Sequence, residues 1–136
     1  MNKKPDVSKA AKKILIIDDD KIFSKVLKDA MKVHKDGKYT TVHAVDGEEG
    51  LRKAKEEKPD LIVLDVVMPN VGGLEFLKNM KSDKDIPKIP VLVTSQYSDM
   101  EKISAATELG IKGYLVKADH TLDEIIKKIE DVLEGE

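Results

Sequence analysis

Two spacings of apolar residues alternate along the chain. Ile14-Leu15-Ile16-Ile17, Leu61-Ile62-Val63-Leu64, Val91-Leu92-Val93-Thr94 and Tyr114-Leu115-Val116 are short, continuous apolar runs rich in branched side chains. Runs of this kind suit strands covered on both faces. Tyr39 to Val45, rich in β-branched residues, predicts one more strand. Between these runs the apolar positions recur at helical spacing. Ile22, Phe23, Val26, Leu27, Ala30 and Met31 predict a first helix, with Asp20 as its N-cap and Gly37 as its stop. Leu51 and Ala54 mark one face of a helix over Gly47 to Glu57, broken by Pro59. Leu74, Phe76, Leu77 and Met80 form the next, after the loop chemistry of Met68-Pro69-Asn70-Val71-Gly72-Gly73. Met100 to Leu109 stops at Gly110, and Leu122, Ile125, Ile126, Ile129, Val132 and Leu133 make a strongly amphipathic last helix.

Strand and helix thus alternate five times. Short strand–helix–strand links require parallel pairing with right-handed crossovers, and helices then cover both faces of the sheet. The predicted fold class is α/β: a doubly wound five-stranded parallel sheet, flavodoxin-like, with strand order 2-1-3-4-5 as the natural choice. Residues 1–12 (MNKKPDVSKAAK) are polar, Lys-rich and without a period, and are expected to form a flexible tail before a domain over 13–136.

Composition narrows the field. At 136 residues the chain is one ordinary domain. Lys and Arg number 24 against 26 Asp and Glu, so the net charge of -2 gives no basic footprint and no nucleic-acid partner is expected. The absence of Cys excludes disulfides, thiolate metal sites and Cys nucleophiles. No apolar run is long enough to cross a bilayer and no secretory h-region follows the Lys-rich start, so no membrane partner and a cytoplasmic location are expected.

Sites in open parallel sheets lie beyond the carboxyl ends of the strands. There the first strand delivers Asp18 and Asp19, the third Asp65, the fourth Thr94 and Ser95, and the fifth Lys117. Three carboxylates in one crevice repel, and a hard divalent cation relieves that repulsion, with Mg²⁺ preferring few carboxylates plus waters and phosphoryl oxygens. Asp18-Asp19-Asp20 would repel a bare phosphate, so a phosphoryl group would enter only with a metal. Lys117 then offers a point charge and Thr94 a hydroxyl donor. Asp65, at the end of the middle strand in sequence, is the best candidate for a carboxylate nucleophile forming an acyl phosphate. Asp20, and to a lesser degree Asp18, are equally well explained as helix caps.

These residues resemble the response-regulator receiver family of two-component signalling, over about Lys13 to Leu133. The resemblance rests on Ile16-Ile17-Asp18-Asp19-Asp20, Leu64-Asp65-Val66-Val67-Met68-Pro69-Asn70 with Gly73, Val93-Thr94-Ser95 and Gly113-Tyr114-Leu115-Val116-Lys117, in that order and at those spacings. It implies that Asp65 accepts a phosphoryl group from a sensor histidine kinase or phosphotransfer protein. It further implies Mg²⁺ held by Asp18, Asp19, Asp65 and the main-chain carbonyl of Val67, with Asp19 a direct ligand and Asp18 nearer an outer position. Thr94 would be the switch hydroxyl, Tyr114 the switch aromatic and Lys117 the partner of the phosphoryl oxygens. A downstream protein target would read the state on the face of the fourth helix, fifth strand and fifth helix. A stand-alone, chemotaxis-type receiver is the expected form, a signalling switch rather than a metabolic enzyme.

Four positions decide how closely the chain follows the family pattern. Ala118 follows the lysine where the family usually has a cis proline. A non-proline cis bond costs about 3 kcal/mol, so either a trans link with a reshaped loop or a strained cis link is expected. Gly72 stands where Asp is common. Val67 and Gln96 occupy positions that in the family tune phosphoryl lifetime by controlling the attacking water, and Val67, unable to orient water, predicts slow self-dephosphorylation.

Two rivals remain open. An aspartyl-phosphate phosphatase would want a second acid two residues after the nucleophile, where this chain has Val67. A phosphorylation-independent interaction module on the same fold would fail to react with acetyl phosphate. His34, His43 and His120 are scattered and lack metal spacing; His34 sits favourably near a helix C-terminus, and His120, close after Lys117, reads as a surface-loop residue. Met68 and Met80 read as packing, and Tyr97 either as part of a partner face or as a cover for the fourth helix.

Overall fold

The computed structural model describes residues 11–33, 38–68, 71–96 and 98–135. Most of the polar leader, His34, the helix stop expected at Gly37, Pro69, Asn70 and Tyr97 lie outside the described residues. In chain order the elements are β1 (Lys12–Ile17), α1 (Lys21–Val33), β2 (Tyr39–Ala44), α2 (Gly47–Glu57), β3 (Leu61–Leu64), α3 (Gly73–Ser82), β4 (Val91–Ser95), α4 (Met100–Glu108), β5 (Gly113–Val116) and α5 (Leu122–Glu134). The five strands are all parallel, in the order β2-β1-β3-β4-β5.

Alternation along each strand divides the core between the two faces. Leu15, Ile17, Ile62, Leu64, Val91 and Val93 pack with Ala54, Phe76, Leu77 and Ala106, so α2, α3 and α4 cover one side. Ile14, Ile16, Leu61, Val63 and Leu92 pack with Leu27, Met31, Ile125, Ile126 and Ile129 of α1 and α5 on the other. The three middle strands are buried on both faces, and their uninterrupted apolar runs reflect that.

Register sets the functional edge. Ile17 pairs with Leu64, and Leu64 with Val93. The next position on each strand therefore forms one lateral row, Asp18, Asp65 and Thr94. Main-chain bonds extend the pairing past the strand ends: Asp18 N–H donates to Ala44 at 3.0 Å and Asp65 N–H to Ile17 at 2.9 Å. The start of α3 presses against this row. A Cβ at Gly73 would sit 2.5 Å from the Asp65 carbonyl oxygen and would also strike the Val66 backbone, so only glycine allows that approach.

α5 begins with a reciprocal cap, Thr121 Oγ1 accepting from Glu124 N–H and the Glu124 carboxylate accepting from Thr121 N–H. Between β5 and α5 the chain makes a 3₁₀ turn over Lys117–Asp119. No peptide bond among the described residues is cis, so the Lys117–Ala118 link takes the trans form with a reshaped turn.

Candidate functional site

The row at the carboxyl ends of β1, β3 and β4 is buried and polar. Asp18 is 1% exposed and Thr94 0%; Asp65 is buried and Asp19 exposed. One carboxylate oxygen from each of Asp18, Asp19 and Asp65 lies within 4.8 Å of the other two. Spacing this close between hard oxygen donors, two of them out of water, matches the demands of a hard divalent cation.

Local hydrogen bonds fix the loops that carry them. Asp18 Oδ1 accepts from Asp20 N–H at 2.9 Å, bending the chain out of β1. Asp20 Oδ1 in turn accepts from Ile22 N–H at 3.1 Å and Phe23 N–H at 3.0 Å, so Asp20 is the N-cap of α1. Asp65 Oδ1 accepts from Val67 N–H at 3.0 Å. The exposed Val67 side chain offers this site no polar group.

Burial pushes the Asp65 carboxyl up to about 7 from its ordinary 3.8; the charges of Asp18 and Asp19 add to the rise, while the Val67 N–H and Lys117 oppose it. Asp18 is raised too, again chiefly by burial, with the Lys117 hydrogen bond pulling the other way. The row therefore holds carboxyl groups that water no longer stabilises as anions and that a single lysine only partly compensates.

Lys117 reaches across from the end of β5. Its Nζ donates to Asp18 Oδ2 at 2.7 Å, with the lysine side chain 12% exposed. Its partner here is thus Asp18, on the far side of the row. Thr94 Oγ1 is fully buried and has no hydrogen-bond partner among the described residues. A buried hydroxyl left this way is costly, and it stands beside Asp65 in the row. Tyr114 is half-buried on β5 and packs against the core cluster on the side of α2, α3 and α4. The sequence-predicted residues Asp18, Asp19, Asp65, Thr94 and Lys117 thus come to one edge, with Tyr114 set back along β5.

Two residues that the sequence reading set aside belong to this neighbourhood. His43 read as a scattered histidine without metal spacing, but its Nε2 lies 2.9 Å from the Asp18 carbonyl oxygen. Its register partner is Ile16, so the strand order alone brings it beside the acidic loop. Lys53 of α2 donates to the His43 carbonyl at 2.5 Å. Phe23 read as helix core, but its ring centroid is 4.1 Å from Lys117 Nζ. It lies in the first turn of a helix capped by the acidic loop. His120 stays outside, its Nδ1 3.7 Å from the Glu124 carboxylate on α5.

Comparison with known proteins agrees with this geometry. The family model for the response regulator receiver domain matches residues 14–130, and the chain belongs to that family. It is 38% identical over 106 residues, 78% of its length, to the alkaline phosphatase synthesis transcriptional regulatory protein PhoP of Bacillus subtilis, of which this covers 42%. It is 34% identical over 119 residues to the chemotaxis protein CheY-3 of Vibrio cholerae, covering 86% of this chain and 90% of that one. The crystal structure of the phosphorylated cyanobacterial phytochrome response regulator RcpA superposes with a TM-score of 0.78 at 28% identity, over 91% of this chain and 94% of that one. The chain spans less than half the length of the first curated relatives it matches. Receiver domains are signalling modules, not metabolic enzymes, and they take Mg²⁺ or Mn²⁺ at an acidic pocket. No helix among the described residues is long and apolar enough to cross a membrane.

Proposed function

We propose that the chain is a phospho-acceptor switch in a two-component relay, taking a phosphoryl group on Asp65 from a sensor histidine kinase or phosphotransfer protein. The observation that carries this reading is the row itself: a buried carboxylate flanked by two further acids, a reaching lysine and a buried hydroxyl with no partner among the described residues. In the transfer an Asp65 carboxylate oxygen forms a bond to phosphorus while the donor's P–N bond breaks, and the donor imidazole leaves with that electron pair. Asp18, Asp19, Asp65 and the Val67 carbonyl would hold Mg²⁺, which supplies positive charge against the carboxylates and the incoming phosphoryl oxygens. Lys117 exchanges its Asp18 contact for a phosphoryl oxygen, and Thr94 Oγ1 gains an acceptor.

A group that satisfies the Thr94 hydroxyl only after transfer favours one of two arrangements of β4 and α4 over the other. Tyr114, on the neighbouring strand, would follow. A protein target would read the state on the face of α4, β5 and α5; the edge position of β5, half-buried at all four residues, supports that reading. Action in the cytoplasm, where such kinases present phosphohistidine, belongs to the same reading.

Intact-mass analysis after incubation with acetyl phosphate tests it. Wild type with Mg²⁺ gains one phosphoryl mass; wild type without metal and Asp65→Asn do not. A wild type that takes up nothing favours a phosphorylation-independent docking module. The lifetime is a second readout. Val67 presents no group to orient water toward the acyl phosphate, so loss of the added mass is slow and Val67→Asn accelerates it. Loss within seconds from the wild type would contradict that assignment.

A further inference from the structure

We propose that Phe23 is a positioning residue for Lys117, its ring face holding the ammonium within reach of both Asp18 and Asp65. This rests on the phospho-acceptor reading of Asp65. Lys117 faces a conflict. Its hydrogen-bond partner in the structure is Asp18 Oδ2 at 2.7 Å, one of the three carboxylates whose oxygens gather within 4.8 Å of one another. On the phospho-acceptor reading a metal would compete for that carboxylate, and the ammonium would have to stay near the row without Asp18 as its partner. The turn carrying Lys117 gives little help. It is a trans 3₁₀ turn over Lys117, Ala118 and Asp119, with no proline ring to fix its backbone.

The ring of Phe23 supplies the missing anchor. Its centroid lies 4.1 Å from Lys117 Nζ, well inside the range of a cation–π contact. The position of the ring is set by the site's own acidic loop, because Phe23 N–H donates to Asp20 Oδ1 at 3.0 Å and Asp20 N–H to Asp18 Oδ1 at 2.9 Å. An aromatic face suits the task for a chemical reason. It attracts the ammonium through its quadrupole but carries no net charge, so it neither repels a phosphoryl group nor competes with it for the lysine's donors. A carboxylate in the same place would do both.

Initial rates of phosphorylation by acetyl phosphate, over a range of donor and Mg²⁺ concentrations, test the assignment on Phe23→Leu, Phe23→Tyr, Lys117→Ala and the Phe23→Leu/Lys117→Ala pair. Phe23→Leu lowers the maximal rate about fivefold, the size expected of a partly desolvated cation–π contact, and leaves the Mg²⁺ affinity measured by calorimetry unchanged. Phe23→Tyr keeps the ring and the rate. In the Lys117→Ala background Phe23→Leu has no further effect. If Phe23→Leu does not fold, Phe23→Met carries the same expectation. Wild-type rates in a ringless variant, or an equal loss with and without Lys117, overturn the positioning role. A wild type that takes no phosphoryl group overturns the underlying reading instead, and the proposal falls with it.

Discussion

β1 and the residue that follows it are equally buried and chemically opposite. Ile14 to Ile17 are at most 1% exposed, and Asp18, the next residue, is also 1% exposed. The isoleucine and leucine side chains meet α1 and α5 on one face and α2 and α3 on the other, and removal from water stabilises the fold. Burial of Asp18 and its row-mate Asp65 does the reverse, raising both carboxyls above their ordinary range. β4 repeats the contrast: Val93 fills the core and Thr94 buries a hydroxyl with no partner among the described residues. Two buried carboxyls and a buried hydroxyl with no partner among the described residues, set side by side, call for a reason beyond folding, and a group that meets them supplies one.

The largest effect that separates these regions is on the apolar side. Phe76, fully buried among Ile17, Leu64 and Val93, is expected to cost about 3–5 kcal/mol when cut to Ala. Urea unfolding measures it; a loss below 1 kcal/mol would mean that the core does not carry the stability assigned to it.

The polar row gives an effect of the opposite sign. The native Asp65 carboxyl titrates at about 7 against 3.8 in an ordinary carboxylate, so between those values the native protein holds a proton the unfolded chain has lost. That contribution to stability is full below pH 3.8 and is lost as pH rises through about 7. Metal-free wild type is therefore expected to melt at a lower temperature at pH 8 than at pH 5.5. Asp65→Asn removes that contribution to the slope and raises the pH 8 midpoint by about 2–4 °C. Carboxylates outside the row such as the half-buried Glu57, held low by Lys13, act in the other direction, their contribution being lost as pH falls through their depressed range. Measurement above pH 5 keeps the two regions apart. Saturating Mg²⁺, by binding the ionised row, is expected to raise the pH 8 midpoint. A flat wild-type profile and no response to Mg²⁺ would contradict the description of the row.

Thr94→Val gives the smallest effect on folding. Replacing a buried hydroxyl that has no partner among the described residues by a methyl of similar shape is expected to be neutral or to stabilise by about 1 kcal/mol, while blunting any conformational response to phosphorylation. A loss of several kcal/mol would mean that the hydroxyl already has a partner in the resting protein.

How far these regions were legible in the sequence follows from the same contrast. Ile14 to Ile17, Leu61 to Leu64 and Val91 to Val93 announce buried parallel strands because burial on both faces leaves no polar residue to interrupt the run. Their ends were readable because Asp18, Asp19, Asp65, Thr94 and Lys117 break those runs at corresponding points. His43 and Phe23 were not readable as neighbours of the site. Each reaches it by lateral packing, His43 through its pairing opposite Ile16 and Phe23 through the turn that aims α1 at Lys117, and spacing along the chain does not encode sideways proximity. The choice between cis and trans at Lys117–Ala118 was left open by residue type and settled by the 3₁₀ turn.

The position of the added phosphoryl group tests the whole account most directly. Wild-type protein treated with acetyl phosphate and Mg²⁺, reduced with borohydride and digested, is expected to yield homoserine at position 65 alone, since the reductant converts an acyl phosphate there to the alcohol. Homoserine at position 18 or 19 with an intact Asp65, or no reduced residue at all, would contradict it.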